Sequence, residues 1–192
     1  MTAIVGISGS LRRGSYNSML LRAAAELAPP GTEAETASIH GIPLYDGDLE
    51  AQSGIPETVR ELKERIARSD GLLLVTPEYN GSIPGVLKNA IDWLTRPASD
   101  IPRLFGDRPV ALMGATPGRA GTLSAQTAWL PILRALGMAP WFGPRLLVPG
   151  ADKLFDEAGR LVDERVRTQV QGFMAGFAQF ISRRGPGPKL GS

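Results

Sequence analysis

Hydroxyl side chains crowd one short stretch of the chain, Ser8-Gly9-Ser10-Leu11-Arg12-Arg13-Gly14-Ser15-Tyr16-Asn17-Ser18. It follows the apolar run Ala3-Ile4-Val5-Gly6-Ile7 and precedes residues with helical periodicity. A loop so placed ends on a helix N-terminus, where free backbone N–H groups and the helix dipole favour an anion. The hydroxyls of Ser8, Ser10 and Ser15 can donate to phosphate oxygens, and an arginine can add a bidentate contact. An ordinary polar loop with a serine cap is the plainer alternative. Neither GxxxxGK[ST] nor GxGxxG is present, which disfavours a P-loop nucleotidase and a dinucleotide fold.

A second stretch runs Pro77-Glu78-Tyr79-Asn80-Gly81-Ser82-Ile83-Pro84-Gly85-Val86-Leu87-Lys88-Asn89-Ala90-Ile91-Asp92-Trp93. It joins the buried-strand signal Leu72-Leu73-Leu74-Val75 to a helix. Close backbone approach at glycine, an aromatic wall and a few amides suit a planar ligand. Glu78 reads as a structural or solvated carboxylate, with acid–base catalysis the alternative, and Tyr79 as a packing wall. Asp92 and Trp93 read equally as helix-surface and core residues or as contacts with a second subunit. A third segment, Gly114-Ala115-Thr116-Pro117-Gly118-Arg119-Ala120-Gly121, offers a hydroxyl at Thr116 and close approach at Gly118.

The elements that must position these loops alternate along the chain. The first strand signal leads to a helix capped by Ser15, with Leu20, Ala24 and Leu27 on one face and Pro29-Pro30-Gly31 at its end. A weak strand follows around Glu33 to Ile39, then a long turn-rich loop from His40 to Gly54. Ile55, Val59, Leu62 and Ile66 form an amphipathic stripe running to about Arg68. Gly71 to Thr76 is apolar enough to be buried on both faces. Val86, Leu87, Ala90, Ile91 and Leu94 mark the next helix, with Pro84 tolerated near its start. A strand at Pro109 to Gly114, a helix to about Leu136 and a fifth strand within Met138 to Val148, interrupted by Gly143-Pro144, come next. Val166, Val170, Phe173, Phe177 and Ile181 make the last helical stripe. This alternation predicts an α/β, flavodoxin-like three-layer sandwich with a five-stranded parallel sheet in the order 2-1-3-4-5. Its ligand crevice lies at the switch between strands 1 and 3. One domain spans 1–184, and 185–192 is expected to be a flexible end.

Composition narrows the chemistry. With 192 residues, 43% hydrophobic and 21% charged, the chain suits one domain with a substantial core. The net charge of +2 rests on Arg183, Arg184 and Lys189; without them acidic side chains outnumber basic ones by one. No basic stripe favours nucleic acid. Having no cysteine excludes disulfides, thiol catalysis and thiolate metal sites, and one histidine, His40, argues against a metal centre. No apolar run is long enough to span a bilayer, and no signal peptide is evident, so a cytoplasmic location is expected.

Gly9-Ser10-Leu11-Arg12, followed by Ser15 and Asn17, resembles the signature GSLRxxSxN of the NAD(P)H-dependent FMN reductase family, in its flavodoxin-like quinone, chromate and azo reductase branch. Pro77-Glu78-Tyr79-Asn80 is similar to that family's second signature, continued by Gly85, Lys88, Asn89, Ala90, Asp92 and Trp93. The resemblance spans Ala3 to about Arg183. It implies FMN as cofactor, its phosphate held by Ser8, Ser10, Arg12, Ser15 and Asn17. The ring would lie against Pro77, Glu78, Tyr79, Asn80 and Gly81, with Thr116 and Gly118 closing the far edge. It also implies NAD(P)H as donor, with hydride passing through flavin N5 to a small acceptor: a quinone, azo or nitro compound, chromate or free flavin. No protein side chain need be catalytic, because the flavin carries the reaction. The family forms dimers and tetramers, which implies a homodimer or homotetramer with the helix after Pro84 at the interface.

The third loop departs from the family pattern of an early serine and later paired glycines. Arg119 within it reads as solvated, with the phosphate of NAD(P)H as the alternative partner. Thr127 stands near where an aromatic often shapes the acceptor site, with Trp129 close by, which leaves the acceptor open. The alternative function is a flavodoxin-like electron-transfer protein without its own NAD(P)H turnover. Such carriers are usually strongly acidic, unlike this nearly neutral body.

Overall fold

The computed structural model describes residues 1–184. The flexible end expected over 185–192 lies outside the described residues. Thr2–Ser8 (β1) pairs in parallel with Thr32–Ala37 (β2) on one side and Gly71–Val75 (β3) on the other. Pro109–Ala115 (β4) follows β3, giving the expected order. The fifth position is shared by two short pieces: Ala139–Pro140 (β5) opposite Pro109 and Val110, and Leu146–Val148 (β6) opposite Met113–Ala115.

The chemistry of the detour explains that break. Pro140 and Pro144 have no N–H for a ladder. Trp141 donates its N–H to Val110 O at 2.8 Å, and its ring then folds beneath the loop. A Cβ on Gly143 would sit 2.0 Å from Trp141 Cζ2, so only glycine leaves the ring its place. There the indole packs edge-on against Phe173, with ring centroids 4.9 Å apart.

Tyr16–Glu26 (α1) and Glu164–Arg184 (α7) cover one face. Gly47–Ser53 (α2) and Ile101–Leu104 (α5) are short, while Glu57–Arg68 (α3), Gly85–Leu94 (α4) and Leu123–Ala135 (α6) cover the other face. Period-two alternation divides the strands between these cores. Leu73 and Val75 join Leu20, Val170 and Phe177, whereas Leu72 and Leu74 join Ile66, Leu87 and Trp129. All four β3 side chains are at most 1% exposed. At roughly 1.5–3 kcal/mol for each buried aliphatic side chain, β3 is firmly anchored. The loop that leaves it at Thr76 starts from a fixed point.

Two short helices lie in segments that show no helical pattern. Asp46 caps α2 by accepting the Asp48 N–H, but none of its residues is buried, so no apolar stripe marks it. A single 3-10 turn at Ala98–Asp100 and α5 likewise carry too few buried side chains to be read. Pro84 occupies the N-cap of α4 rather than its first turn. Among the described residues, no helix is long and apolar enough to cross a membrane.

Candidate functional site

The three loops meet beyond the carboxyl ends of β1, β3 and β4. Gly9 is where the first two touch. Its N–H donates to Val75 O at 2.9 Å, and a Cβ there would lie 2.8 Å from Leu87 Cδ2 and 2.9 Å from Pro77 Cδ. Any side chain would push the loops apart.

Beyond Gly9 the chain turns into α1. Ser15 caps that helix, its Oγ accepting the Ser18 N–H at 3.2 Å, and Ser10 Oγ accepts the Arg12 N–H at 3.3 Å. Both hydroxyls act as acceptors inside the protein, so each keeps its own hydrogen for an outside acceptor. The N–H groups of Leu11, Arg13, Gly14, Tyr16 and Asn17 have no acceptor among the described residues. Arg12 is exposed, lies 5.9 Å from the centre of the Tyr16 ring and has no carboxylate partner among the described residues. Such a set of donors at a helix N-terminus is suited to a phosphate.

Two of the candidate residues in this loop are engaged elsewhere. Ser8 Oγ lies 2.9 Å from Ser18 Oγ, and both line a cleft of about 190 Å³ toward β2, with Arg22 and His40. Asn17 is buried, donating from Nδ2 to Ala115 O and accepting the Ala115 N–H at Oδ1, both at 2.9 Å. Its amide therefore joins the first loop to the third.

The second loop is a tight hairpin. Tyr79 and Ser82 exchange both backbone hydrogen bonds at 3.0 Å, while Asn80 (φ 51°) and Gly81 (φ 72°) occupy the left-handed region. Asn-Gly with two positive φ values is the favoured two-residue turn, so these residues set the loop's shape. Tyr79 stands 46% exposed at its side and Pro77 is buried at its base. Glu78 reaches across to α6, its Oε2 accepting the N–H groups of Ser124 at 2.9 Å and Ala125 at 3.2 Å. Below it, buried Thr76 donates to Pro77 O at 2.9 Å and accepts Trp129 Nε1–H at 3.1 Å.

In the third loop Thr116 Oγ1 accepts the Gly118 N–H at 3.2 Å, and Thr116 N–H donates to Val148 O at 3.0 Å. Gly114 is needed for contact: a Cβ would fall 2.1 Å from Thr122 Oγ1 and 2.3 Å from Thr76 O. Gly118 instead faces open space beyond Thr116 Oγ1, and Arg119 is exposed.

The α4 part of the second stretch holds down a neighbouring segment. Asn89 donates to Pro43 O and accepts the Tyr45 N–H, and Trp93 Nε1–H donates to Pro43 O, all at 2.8 Å. Trp93 is fully buried, and Asp92 pairs with Lys88 at 2.6 Å. Tyr45 O–H donates to Glu50, which accepts Arg96 Nε–H at 2.9 Å. The Arg96 hydrogen bond holds the Glu50 carboxyl below its usual range, and the bond to Glu50 raises the Tyr45 phenol. Sequence reasoning missed this anchoring of residues 43–45. Asn89 and Trp93 one turn apart on α4 were the available signal.

A parallel sheet in this order, with free N–H donors at the start of α1 beside the loops that follow β3 and β4, defines the class: a flavodoxin-like α/β protein. Residues 2–153 match the NADPH-dependent FMN reductase family, and the chain belongs to it. It is 43% identical over 180 residues to an NAD(P)H-dependent FMN reductase of Pseudomonas aeruginosa, covering 94% of this chain and 95% of that one. It is 39% identical to a 2-hydroxy-1,4-benzoquinone reductase of a Burkholderia species, over 94% and 97% of the two chains. Among solved structures, the flavoenzyme NAD(P)H:(acceptor) oxidoreductase FerB of Paracoccus denitrificans superposes with a TM-score of 0.85. That match is at 34% identity and covers 98% of this chain and all of FerB.

Proposed function

We propose that the three loops hold FMN and that the protein uses NAD(P)H to reduce quinone-type acceptors. The observation that carries this reading is the set of unused donors at the start of α1, beside the switch between β1 and β3. One such site suits one terminal phosphate, with Ser10, Arg12, Ser15 and the N–H groups of Tyr16 and Asn17 as its ligands. The ring then lies against the Pro77–Gly81 hairpin, with Thr116 and Gly118 along its far edge. Ser8 contributes from the β2 side of the loop, and the Asn17 side chain contributes by holding Ala115 in place.

When bound, FMN supplies hydride acceptance from the nicotinamide and delivery to the acceptor. The chain's own part is placement: backbone N–H groups beside the ring favour the charge that builds on reduction. We further propose a homodimer or homotetramer in the cytoplasm, where reduced nicotinamide nucleotides are found. Leu44, 81% exposed on the segment pinned to α4, supports a subunit contact there.

Purified protein reconstituted with FMN is expected to oxidise NADH or NADPH continuously when a benzoquinone is added. A flavin-loaded protein that forms a stable semiquinone but oxidises neither nucleotide would instead be an electron carrier.

A further inference from the structure

The loop assigned to the flavin ring carries one carboxylate, Glu78, and its hydrogen bonds point to a task other than proton transfer. The first-turn N–H groups of a helix need acceptors from outside the helix, and a negative charge there is favoured by the dipole. Helix α6 lacks a side-chain cap of its own: Leu123 N–H meets Ala120 O at 3.2 Å, but Thr122, at the N-cap, is left-handed (φ 67°, ψ 28°) and makes no side-chain cap bond. Instead Thr122 is buried, close-packed against Gly114. The two N–H groups of Ser124 and Ala125 are met by Glu78, more than forty residues earlier in the chain. One α6 turn further on, Trp129 binds Thr76, so loop and helix are joined at two heights.

We propose that Glu78 is a positioning residue. By capping α6 from the β3–α4 loop, it fixes the separation between the Pro77–Ser82 hairpin and the Thr116–Thr122 loop, and so sets the width of the crevice that receives the flavin ring. This rests on the FMN reading above. It also separates two uses of a loop carboxylate. A general acid or base needs its proton, whereas a cap needs only an acceptor oxygen, which glutamine retains.

The test compares wild type, Glu78→Ala and Glu78→Gln by amide hydrogen exchange of the chain without flavin and by FMN titration. In Glu78→Ala, protection of the Ser124 and Ala125 amides is expected to fall about tenfold and FMN affinity to weaken about tenfold, the usual worth of one helix cap. In Glu78→Gln both quantities stay within about threefold of wild type, and the pH profile of NAD(P)H oxidation keeps its shape. Should Glu78→Ala fail to fold, Glu78→Asp, one methylene short of the two amides, serves the same comparison. Unchanged amide protection without the carboxylate overturns the proposal. So does a Glu78→Gln protein as impaired as Glu78→Ala and missing one limb of the pH profile. Failure of FMN to bind wild type removes the cofactor reading and this role together; FMN binding by wild type with Glu78→Ala unaffected removes this role alone.

Discussion

The two ends of the sheet use side chains to tie down loops, yet one end is closed and the other is open. At the amino end of β4, Arg108 is only 1% exposed, and its guanidinium donates to the carbonyls of Leu104, Ser69 and Arg103. Nearby Lys63, 4% exposed, donates to Arg96 O and lies 2.7 Å from Asp100 Oδ2. Burial pushes the Arg108 guanidinium below its ordinary pKa, but guanidinium remains charged throughout the physiological range. The Arg108 and Lys63 bonds are made inside the protein, while neighbouring Arg103 reaches exposed Glu64 and keeps its buried Nε without a partner among the described residues. At the carboxyl end Asn17, Glu78 and Trp129 also join loop to loop, but the donors at the start of α1 are left over. Buried charge alone does not mark a site. The site we propose rests instead on donors left without a partner at a strand switch.

This contrast can be tested from either end. The largest effect is expected from Arg108→Ala, which strands several buried carbonyls. Urea denaturation should show a loss of about 3 kcal/mol or more, with FMN affinity of the folded protein unchanged. Asn17→Ala comes next, because it leaves both Ala115 backbone groups without their buried partners. A loss of about 2–3 kcal/mol in the same assay is expected, now accompanied by weaker FMN binding. Arg12→Ala, which removes an exposed cation with no carboxylate partner among the described residues, should reverse that pattern. FMN binding falls by about 1.5–3 kcal/mol in a fluorescence titration, while the melting temperature without flavin stays at the wild-type value.

The smallest effect concerns Glu50, whose pKa is lowered in the folded state. A lowered carboxylate contributes stability above its unfolded pKa and loses it as pH falls through the folded one. The melting difference between wild type and Glu50→Gln should therefore be present at neutral pH and shrink on acidification. A difference independent of pH would remove the Glu50–Arg96 pair as its cause.

The sheet order and the loops were legible because both leave local marks. Leu72 to Val75 is an unbroken apolar run, Gly143-Pro144 announces the broken edge, and Asn80-Gly81 is a turn by composition alone. Helix α2 left no mark because nothing in it is buried. The Asn17–Ala115 and Glu78–α6 bonds were not legible for another reason: their partners lie far apart in sequence and pair only through backbone groups that any residue would carry. Arg108 beside Pro109 looks like an ordinary loop cation until the fold buries it. The signatures near Gly9 and Pro77 mark the segments that we propose hold the flavin. The bonds that hold those segments together appear only in three dimensions.

The most direct test of the phosphate site is a parallel titration of flavin-free protein with FMN and with riboflavin, which shares the ring but lacks the phosphate. The account predicts that FMN binds at least about tenfold more tightly, since charge-assisted contacts are lost with the phosphate. Equal affinity for the two flavins, or no binding of FMN, would contradict it.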